Sequence, residues 1–338
     1  MFRGSRVGNL RVLVTGGAGF VGSHLCERLV ADGNRVICID NLATGSLGNI
    51  AQLMSGASFE FREHDVIEPI DIDVARIYNL ACAASPERYQ ADPLQTFKTC
   101  VFGVLNSVEL ARNRKAKLLH TSTSEVYGEP HEHPQKESYW GHVNPIGVRS
   151  CYDEGKRAAE TVIFDSLRLG GLSACVCRIF NTYGPKMGPF DGRVVSNFIR
   201  QTLTGGPLTI HGDGSQTRSF CYIDDLVEGI CRLMDAPDTL TGPVNLGNPC
   251  EITVLELAET IRDLIGTSVE IELLPMPQDD PTRRCPDISM AKQVLDWQPA
   301  VPLTAGLSRT IDYFDNLIAA GGLEDYMPQS GAKEHAVR

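Results

Sequence analysis

The sequence predicts an α/β protein built on a Rossmann-type, doubly wound parallel sheet with a smaller C-terminal substrate-binding lobe. Over residues 1–180, short apolar segments alternate with amphipathic ones, as in sheets whose strands are linked by helices on both faces. A glycine-rich turn follows the first apolar segment, and a hydroxyl-rich run follows the fifth. Because ligands of such sheets bind beyond the carboxyl ends of the strands, both places are predicted to belong to one site.

The first predicted strand, residues 10–15, leads into three glycines with the spacing Gly-x-x-Gly-x-x-Gly. Glycine permits a tight turn, a close approach of backbone N–H groups to a pyrophosphate, and close packing of the next helix on the strand. The positive end of that helix then faces the phosphates. The residues predicted to bind a dinucleotide here are Gly16, Gly19, Phe20 and Val21, with Gly22 packing the helix.

The second predicted strand, residues 35–39, ends on Asp40, about twenty residues after the glycines, where an acidic side chain accepts hydrogen bonds from a ribose. Such a carboxylate also repels a 2′-phosphate, so the predicted cofactor is NAD rather than NADP. Phe59 and Phe61 alternate in the third strand. Further cofactor contacts are predicted in the turn after the second strand and at the end of the third: Asn41, Thr44, Gly45, Asp65 and Val66.

The predicted elements then continue in regular alternation. The pattern indicates a fourth strand over 76–81, a helix over 93–114, a fifth strand over 117–121, a helix over 152–169 and a sixth strand over 173–180. At the end of the fifth strand lies the run Thr121-Ser122-Thr123-Ser124-Glu125. This run is predicted to reach the site because it follows the carboxyl end of a parallel strand.

Tyr152 and Lys156 are four residues apart and therefore share one face of the predicted helix. An ammonium group close to a phenol favours the phenolate, so the pKa of Tyr152 is predicted to be lowered. A base of this kind can take a hydroxyl proton while a hydride leaves the same carbon. The pair therefore predicts alcohol oxidation with a nicotinamide cofactor.

Composition narrows the possible partners and the compartment. The 338 residues carry a net charge of −11, which argues against a nucleic-acid or membrane-surface binder. The eleven cysteines are scattered without a C-x-x-C pair, so we expect reduced thiols in a cytoplasmic protein. Neither a signal peptide nor an apolar run long enough to span a bilayer is present. His131 and His133 lie in a loop interrupted by proline, and no metal site is predicted.

Longer motifs carry a resemblance to a known family. They comprise the glycine turn, Thr-Ser-Thr-Ser-Glu-Val-Tyr-Gly at 121–128, Tyr-x-x-x-Lys at 152–156, and the segments 139–147, 178–185, 191–198, 214–218, 244–249 and 278–288. In these the chain resembles the extended short-chain dehydrogenase/reductases and, within them, the UDP-glucuronate decarboxylases. Two residues depart from that pattern, since Ala83 replaces a usual proline and Cys100 a usual asparagine.

The resemblance implies oxidation of a UDP-glucuronate at C4, loss of CO2 from the 4-keto acid, and reduction to UDP-xylose with NAD recycled. The catalytic residues that it implies are Tyr152, Lys156, Glu125, Thr123, Ser124 and Arg284. Further cofactor contacts are expected from Leu80, Ala81, Thr99, Ser122, Thr182 and Arg193. Substrate contacts, besides those of Glu125 and Tyr152, are expected from Lys98, Asn181, Arg193, Arg218, Tyr222 and Arg284, with Arg283 as an open alternative to the last.

The resemblance also implies a homodimer formed by the two long helices, and it suggests how the chain is divided. We expect residues 1–180 and 219–247 to form the NAD-binding domain, 181–218 and 248–325 the substrate-binding lobe, and 326–338 a polar tail. Three alternatives stay open at this point. A sugar-nucleotide 4,6-dehydratase would need an acid at Ser124, a 4-epimerase has no use for Glu125, and a non-catalytic NAD-binding sensor has no use for Tyr152.

Overall fold

A computed structural model describes residues 8–277, 281 and 283–323. Its centre is a seven-stranded sheet of entirely parallel strands. Six of the strands come from the first part of the chain and the seventh from much later. The strands are β1 (Arg11–Thr15), β2 (Arg35–Asp40), β3 (Phe59–Glu63), β4 (Arg76–Asn79), β5 (Lys117–Thr123), β6 (Ser173–Ile179) and β11 (Val244–Leu246).

The strand order is β11-β6-β5-β4-β1-β2-β3. The chain therefore winds outward from β1 in one direction through β3 and in the other from β4, and it changes direction between β1 and β4. In doubly wound sheets this switch point opens the crevice that binds nucleotides. The predicted fold class is confirmed.

Helices cover both faces of the sheet. The helices of the chain are α1 (Phe20–Ala31), α2 (Pro86–Ala91), α3 (Pro93–Arg114), α4 (Ser150–Leu169), α5 (Val194–Leu203), α6 (Ile223–Asp235), α7 (Val254–Ile265), α8 (Ser289–Leu295) and α9 (Leu303–Ala319). α3 and α4 pack against each other, and α1 packs against α6. Two apolar clusters result, one on each side of the strands.

Short sheets lie outside the large one. Their strands are β7 (Thr182–Tyr183), β8 (Leu208–His211), β9 (Thr217–Ser219), β10 (Cys221–Tyr222), β12 (Glu251–Thr253), β13 (Ile271–Leu274) and β14 (Arg283–Arg284). β14 pairs with β9, which also pairs with β12. Through this three-stranded sheet, the late part of the chain reaches the site.

Element boundaries agree with the sequence prediction within a few residues. Helix α3 begins and ends as predicted, since Asp92 caps its first turn and Lys115 adopts a left-handed conformation after its last. Strand β5 extends two residues further, because Thr123 still pairs with Ile179 of β6, while β4 stops at Asn79. The segment 278–280 and the tail 326–338 lie outside the described residues.

Two predictions about the chain as a whole can be compared with the structure. All eleven cysteines lie in the described part of the chain as free thiols, and most are buried. In that same part, none of the helices has the length and apolar character needed to cross a bilayer.

Candidate active site

One cleft of about 1210 Å³ opens at the carboxyl ends of the central strands. Its wall combines the glycine turn, the end of β2, the residues after β4 and β5, the first turn of α4 and Arg284 of β14. Pockets for a single small ligand measure about 300–1,000 Å³. The cleft therefore has room for a dinucleotide and a second ligand.

The glycine turn has no space for side chains. Gly16 has a φ of +68°, and a methyl group on Gly22 would lie 2.1 Å from the Gly16 carbonyl oxygen. Gly19 precedes α1 without a side chain that could cap the helix, so the first N–H groups of α1 stay available for a phosphate. This arrangement fits the pyrophosphate of a dinucleotide.

Asp40 ends β2 beside this turn. Its carboxylate accepts hydrogen bonds from the backbone N–H groups of Ala18 (3.0 Å) and Leu42 (2.8 Å). Burial raises the pKa of Asp40, although these bonds oppose the shift. The side chain is thus fixed at the place where a ribose of NAD would meet it, and the negative charge there disfavours a 2′-phosphate.

A chain of buried polar groups supports the floor of the cleft. The Thr15 hydroxyl donates to Asn79 Oδ1 (2.9 Å) and accepts from the N–H groups of Leu80 and Ala81 (3.1 Å each). Asn79 Nδ2 lies 3.3 Å from His120 Nδ1. Burial lowers the pKa of His120. These bonds hold the ends of β1, β4 and β5 in register below the cofactor region.

Tyr152 and Lys156 both line the cleft on the first turns of α4. The Lys156 amino group donates to the Thr121 carbonyl (2.9 Å) and lies 5.9 Å from the centroid of the Tyr152 ring. Burial raises the pKa of Tyr152, and a hydrogen bond with Thr123 opposes the shift. The predicted lowering is therefore not what the structure shows, because desolvation of the phenol, together with the negative charge of Glu125, outweighs the hydrogen bond with Thr123.

A second tyrosine fixes the orientation of the first. The rings of Tyr89 and Tyr152 stack with an interplanar angle of 2° and centroids 5.1 Å apart. Tyr89 belongs to α2, which packs against α3 and α4. The Tyr152 ring is thereby confined to one plane next to Thr123.

Glu125 carries the strongest ionic contacts in the cleft. Its Oε2 accepts hydrogen bonds from Arg149 Nη2 (2.6 Å) and from Arg284 Nη2 (3.2 Å). Arg284 is 1% exposed and also donates to the Gly128 carbonyl (2.9 Å). Burial favours the neutral form of Glu125, but Arg284 and Arg149 outweigh it and lower its pKa to about 2. Glu125 is therefore ionised at neutral pH.

A further ion pair holds the end of β5, on the side of α4 and β6. Arg178 donates to both carboxylate oxygens of Glu160 (2.9 and 2.7 Å), and Ser122 donates to the same carboxylate (2.6 Å). Arg178 also donates to the Tyr127 hydroxyl (3.0 Å). Ser122 is thus tied to α4 and β6, which limits the freedom of the adjacent Thr123.

Residues 12–247 match the NAD dependent epimerase/dehydratase family. The chain belongs to this family. The cofactor predicted from the sequence, NAD, is thereby confirmed, and the geometry of the glycine turn and of Asp40 agrees with it.

Curated family members include close relatives. The chain is 55% identical to UDP-glucuronic acid decarboxylase 1 of Arabidopsis thaliana over 91% of this chain and 71% of that protein. It is 51% identical to UDP-glucuronic acid decarboxylase 1 of Danio rerio over 95% of this chain and 77% of that protein. The predicted resemblance to the UDP-glucuronic acid decarboxylases, and the prediction that the chain is an enzyme, are confirmed.

Solved structures of epimerase/dehydratase proteins share the fold. One is UDP-glucuronic acid 4-epimerase from Bacillus cereus, in complex with UDP-glucuronic acid and NAD. It matches with a TM-score of 0.82 and 29% identity, over 91% of this chain and all of that chain.

The structure brings most of the predicted site residues of this family member to the cleft. The lining residues among them are Gly16, Gly19, Phe20, Val21, Asp40, Asn41, Thr44, Asp65, Val66, Leu80, Ala81, Thr99, Ser122, Thr123, Ser124, Glu125, Tyr152, Lys156, Asn181, Thr182, Arg193, Arg218 and Arg284.

Three predicted residues lie elsewhere. The side chain of Lys98 is exposed on α3 and is not among the described residues that line the cleft. Tyr222 is buried against Tyr183, with Arg309 over its ring. Gly45 lies behind Asp40, where a methyl group would be 3.0 Å from the carboxylate oxygens.

The sequence left open whether Arg283 or Arg284 reaches the cleft, and the geometry of strand β14 answers this question. Arg283 is exposed, whereas Arg284 is buried and contacts Glu125. Alternate residues of a strand point to opposite faces, so only one of the two can reach the cleft.

Sequence reasoning missed two ionisable residues, Arg149, which lines the cleft, and Asp153, which is buried next to Tyr152. Arg149 precedes α4 and lies at the end of an irregular segment, so no periodicity indicated its direction. Asp153, next to Tyr152, is 7% exposed, and its Oδ1 has no hydrogen-bond partner within the described residues. Burial, together with the charge of Glu125, raises the pKa of Asp153 to about 8. Asp153 directly follows Tyr152, but adjacent residues of a helix do not share a face, so helical spacing gave no signal for it.

Three side chains outside the cleft could serve as metal ligands, and one ligand atom of each lies within 4.8 Å of the other two. They belong to His133, Glu251 and Cys285. His133 Nε2 lies 2.8 Å from Glu251 Oε2, and Cys285 Sγ donates to the Pro249 carbonyl (3.4 Å). None of the three is among the described residues that line the cleft. We assign them no part in the reaction.

Proposed function

We propose that this chain converts UDP-glucuronic acid into UDP-xylose and CO2 with NAD recycled in the site. The observation that carries the proposal is the ionised Glu125, held by Arg149 and Arg284 beside Thr123 and Tyr152. The names of the relatives at 51% and 55% identity support the same reaction.

The oxidation begins at the C4 hydroxyl of the sugar. Bound NAD+ supplies the electron acceptor for C4 and, once reduced, the electron donor for the last step, and its positive charge favours the phenolate. Tyr152 takes the hydroxyl proton, and its stacking on Tyr89 holds the phenol oxygen in a fixed plane. Thr123 donates to the same C4 oxygen, and Lys156 contributes positive charge from its position on Thr121.

Decarboxylation follows from the chemistry of a β-keto acid, whose ketone accepts the electron pair when CO2 leaves. Tyr152, now protonated, donates a hydrogen bond to the developing enolate oxygen. Glu125 and Ser124 lie on the side of C5. Because its pKa is about 2, Glu125 acts as a carboxylate that orients a water. This water gives a proton to C5 and takes one from solvent, which is the proton that the overall reaction consumes.

Ser124 argues against the dehydratase alternative. Loss of the C6 hydroxyl needs a proton donor close to the leaving oxygen. A serine hydroxyl does not supply a proton as a carboxylic acid would, and the neighbouring Glu125 is ionised.

The substrate anion is held by arginines. Arg193 and Arg218 line the cleft with Asn181 and can pair with the diphosphate. Arg193 is oriented by Asp191, which accepts its Nε–H at 2.9 Å, and Arg218 donates to the carbonyls of Thr217 (2.9 Å) and Pro281 (2.6 Å). Arg284 remains beside the reacting end of the sugar.

The proposal includes a cytoplasmic homodimer made by α3 and α4. Large apolar side chains are exposed along α3, which supports an interface because contiguous apolar patches mark contact surfaces. They are Leu94, Phe97, Phe102 and Leu105. We further propose the division into a cofactor domain (1–180 with 219–247) and a substrate lobe (181–218 with 248–325).

The reaction is tested with purified protein, UDP-glucuronic acid and NAD+. Equimolar CO2 and UDP-xylose are expected. Loss of water would select a 4,6-dehydratase, UDP-galacturonic acid would select a 4-epimerase, and an unchanged substrate would select a sensor. Each of these three outcomes overturns the proposal.

A further inference from the structure

Two thiols meet at the wall of the cofactor cleft. The Sγ atoms of Cys82 and Cys100 lie 3.3 Å apart. Cys82 follows β4 in the segment that lines the cleft, and Cys100 lies on the buried side of α3. Cys100 is also one of the two positions at which the sequence departs from the pattern of its family.

We propose that Cys82 and Cys100 are a modification site at which peroxide forms a disulfide between the cofactor-binding segment and α3. A disulfide needs sulfur atoms about 2.0 Å apart, so the two sulfurs have to approach by about 1.3 Å.

Access and reactivity both favour Cys82 as the attacking thiol. It is partly exposed, and hydrogen peroxide is close to water in size. The hydrogen bond between the two thiols lowers the pKa of Cys82, and the charge of Lys156 adds to the effect. The thiolate is the form that reacts with peroxide.

The chemistry is balanced by one equivalent of hydrogen peroxide. The Cys82 sulfur attacks one peroxide oxygen, the O–O bond breaks, and a sulfenic acid and water form. The Cys100 sulfur then attacks the sulfenic sulfur. The S–S bond forms, the S–O bond breaks, and the hydroxyl leaves as a second water that carries the Cys100 thiol proton. Two electrons pass from the sulfurs to the peroxide.

The position of the pair gives the bond a consequence for the site. The Cβ and Sγ of Cys100 lie against Gly155, where a methyl group would be 3.0 and 3.1 Å away, respectively. Gly155 belongs to α4 between Tyr152 and Lys156. Ala81, next to Cys82, packs as closely against Gly16. The disulfide would therefore couple the glycine turn to the helix that bears Tyr152.

A second buried thiol pair provides an internal comparison. Cys26 and Cys38 both pack against Gly17, and both side chains are 0% exposed. Burial raises the pKa of Cys26. The two thiols of this pair are neighbours, but peroxide cannot reach them because both are fully buried. They are therefore expected to stay reduced at peroxide concentrations that oxidise Cys82 and Cys100.

The test treats the purified, NAD-loaded protein with graded hydrogen peroxide, followed by trypsin without reductant and mass spectrometry. Cleavage after Lys and Arg places Cys82 in peptide 77–88, Cys100 in 99–112 and Cys151 in 150–156. The expected result is one linked species of peptides 77–88 and 99–112, the loss of two titratable thiols per chain, and full reversal by dithiothreitol.

Cys100→Asn and Cys100→Ala are the matched variants, and both are expected to lose the linked species. The proposal is overturned if wild-type Cys82 proceeds to a sulfinic acid without the link. It is equally overturned if Cys82 links to Cys151 instead, or if the Cys26 and Cys38 peptides link first. The wild-type measurement decides the question even if a variant fails to fold.

Discussion

The guanidinium of Arg284 donates to the carboxylate of Glu125 across 159 residues of sequence. This bond joins β14 of a small outer sheet to the end of β5 in the central sheet. It brings a second cation to Glu125, because Arg149 and Arg284 both donate to the Oε2 atom of this carboxylate. The reacting end of the site therefore depends on parts of the chain that fold into different sheets.

Removal of the Tyr152 hydroxyl tests the proposed base. Tyr152→Phe is expected to lower CO2 release from saturating UDP-glucuronic acid by about 10²–10⁴-fold, the usual contribution of one acid–base group. Tyr89→Phe is the matched control, because the Tyr89 hydroxyl has no hydrogen-bond partner in the described chain. Equal losses in the two variants would contradict a proton-transfer role for Tyr152.

The ion pairs of Glu125 make stability depend on pH. The pKa of Glu125 in the folded chain is about 2, below the value of about 4.3 in an unfolded chain. The stabilisation of the folded chain by ionised Glu125 is therefore fully present above about pH 4.3, and it is lost as the pH falls towards 2.

Glu125→Gln is expected to lower the free energy of unfolding at pH 7 by about 1–3 kcal/mol, since the amide still accepts hydrogen bonds. Urea unfolding at pH 7 and pH 3 should show a smaller difference at pH 3. Glu259→Gln on the exposed side of α7 serves as the control. A constant difference at both pH values would refute the assigned pKa.

Arg149 holds the charge of Glu125, so its loss should alter the pH profile of catalysis. Arg149→Met is expected to raise the pKa of Glu125 and to move the acid limb of kcat to higher pH. Arg149→Lys keeps the charge and should shift the limb less. If kcat falls but the acid limb of its pH profile stays at the same pH, Arg149 does not act by setting the pKa of Glu125.

We propose that Asp40 selects NAD over NADP. Asp40→Asn is expected to weaken NAD binding to the cofactor-free protein by about 10–100-fold, as charged hydrogen bonds contribute about 1.5–3 kcal/mol. It should weaken NADP binding less, because repulsion of the 2′-phosphate is removed. Calorimetry with both nucleotides measures the ratio, and equal losses for NAD and NADP would be inconsistent with the proposed contact.

Asp153 affects stability in the opposite direction to Glu125. Its pKa in the folded chain is about 8, above the unfolded value of about 3.9, so stability falls as the pH rises from 4 through 8. Asp153→Asn should therefore stabilise the chain more at pH 8.5 than at pH 5 in urea unfolding. A gain that is the same at both pH values would contradict burial of a carboxylic acid there.

The sequence predicted the parts of this site whose signals are local. The glycine turn, Asp40, the run after β5 and the pair Tyr152–Lys156 follow from strand and helix periods. Arg284 came only from the resemblance, because its partner is far away in sequence and joins it through tertiary packing.

Two failures have a common physical origin. Arg149 was missed because the segment before α4 is neither a helix nor a strand. Without a repeating hydrophobic pattern, the sequence does not indicate which way the Arg149 side chain points. The pKa of Tyr152 was predicted in the wrong direction because spacing shows which charges are near but not how much water is excluded. Burial is a property of the whole fold.

The stacking of Tyr152 on Tyr89 determines which motions the phenol has. A ring stacked on one face by Tyr89 is opposed in tilting, whereas a half-turn flip about its Cβ–Cγ axis restores the same stack. The hydroxyl oxygen lies on that axis. Ring flips therefore exchange the two edges of Tyr152 and leave its oxygen in the same position relative to Thr123.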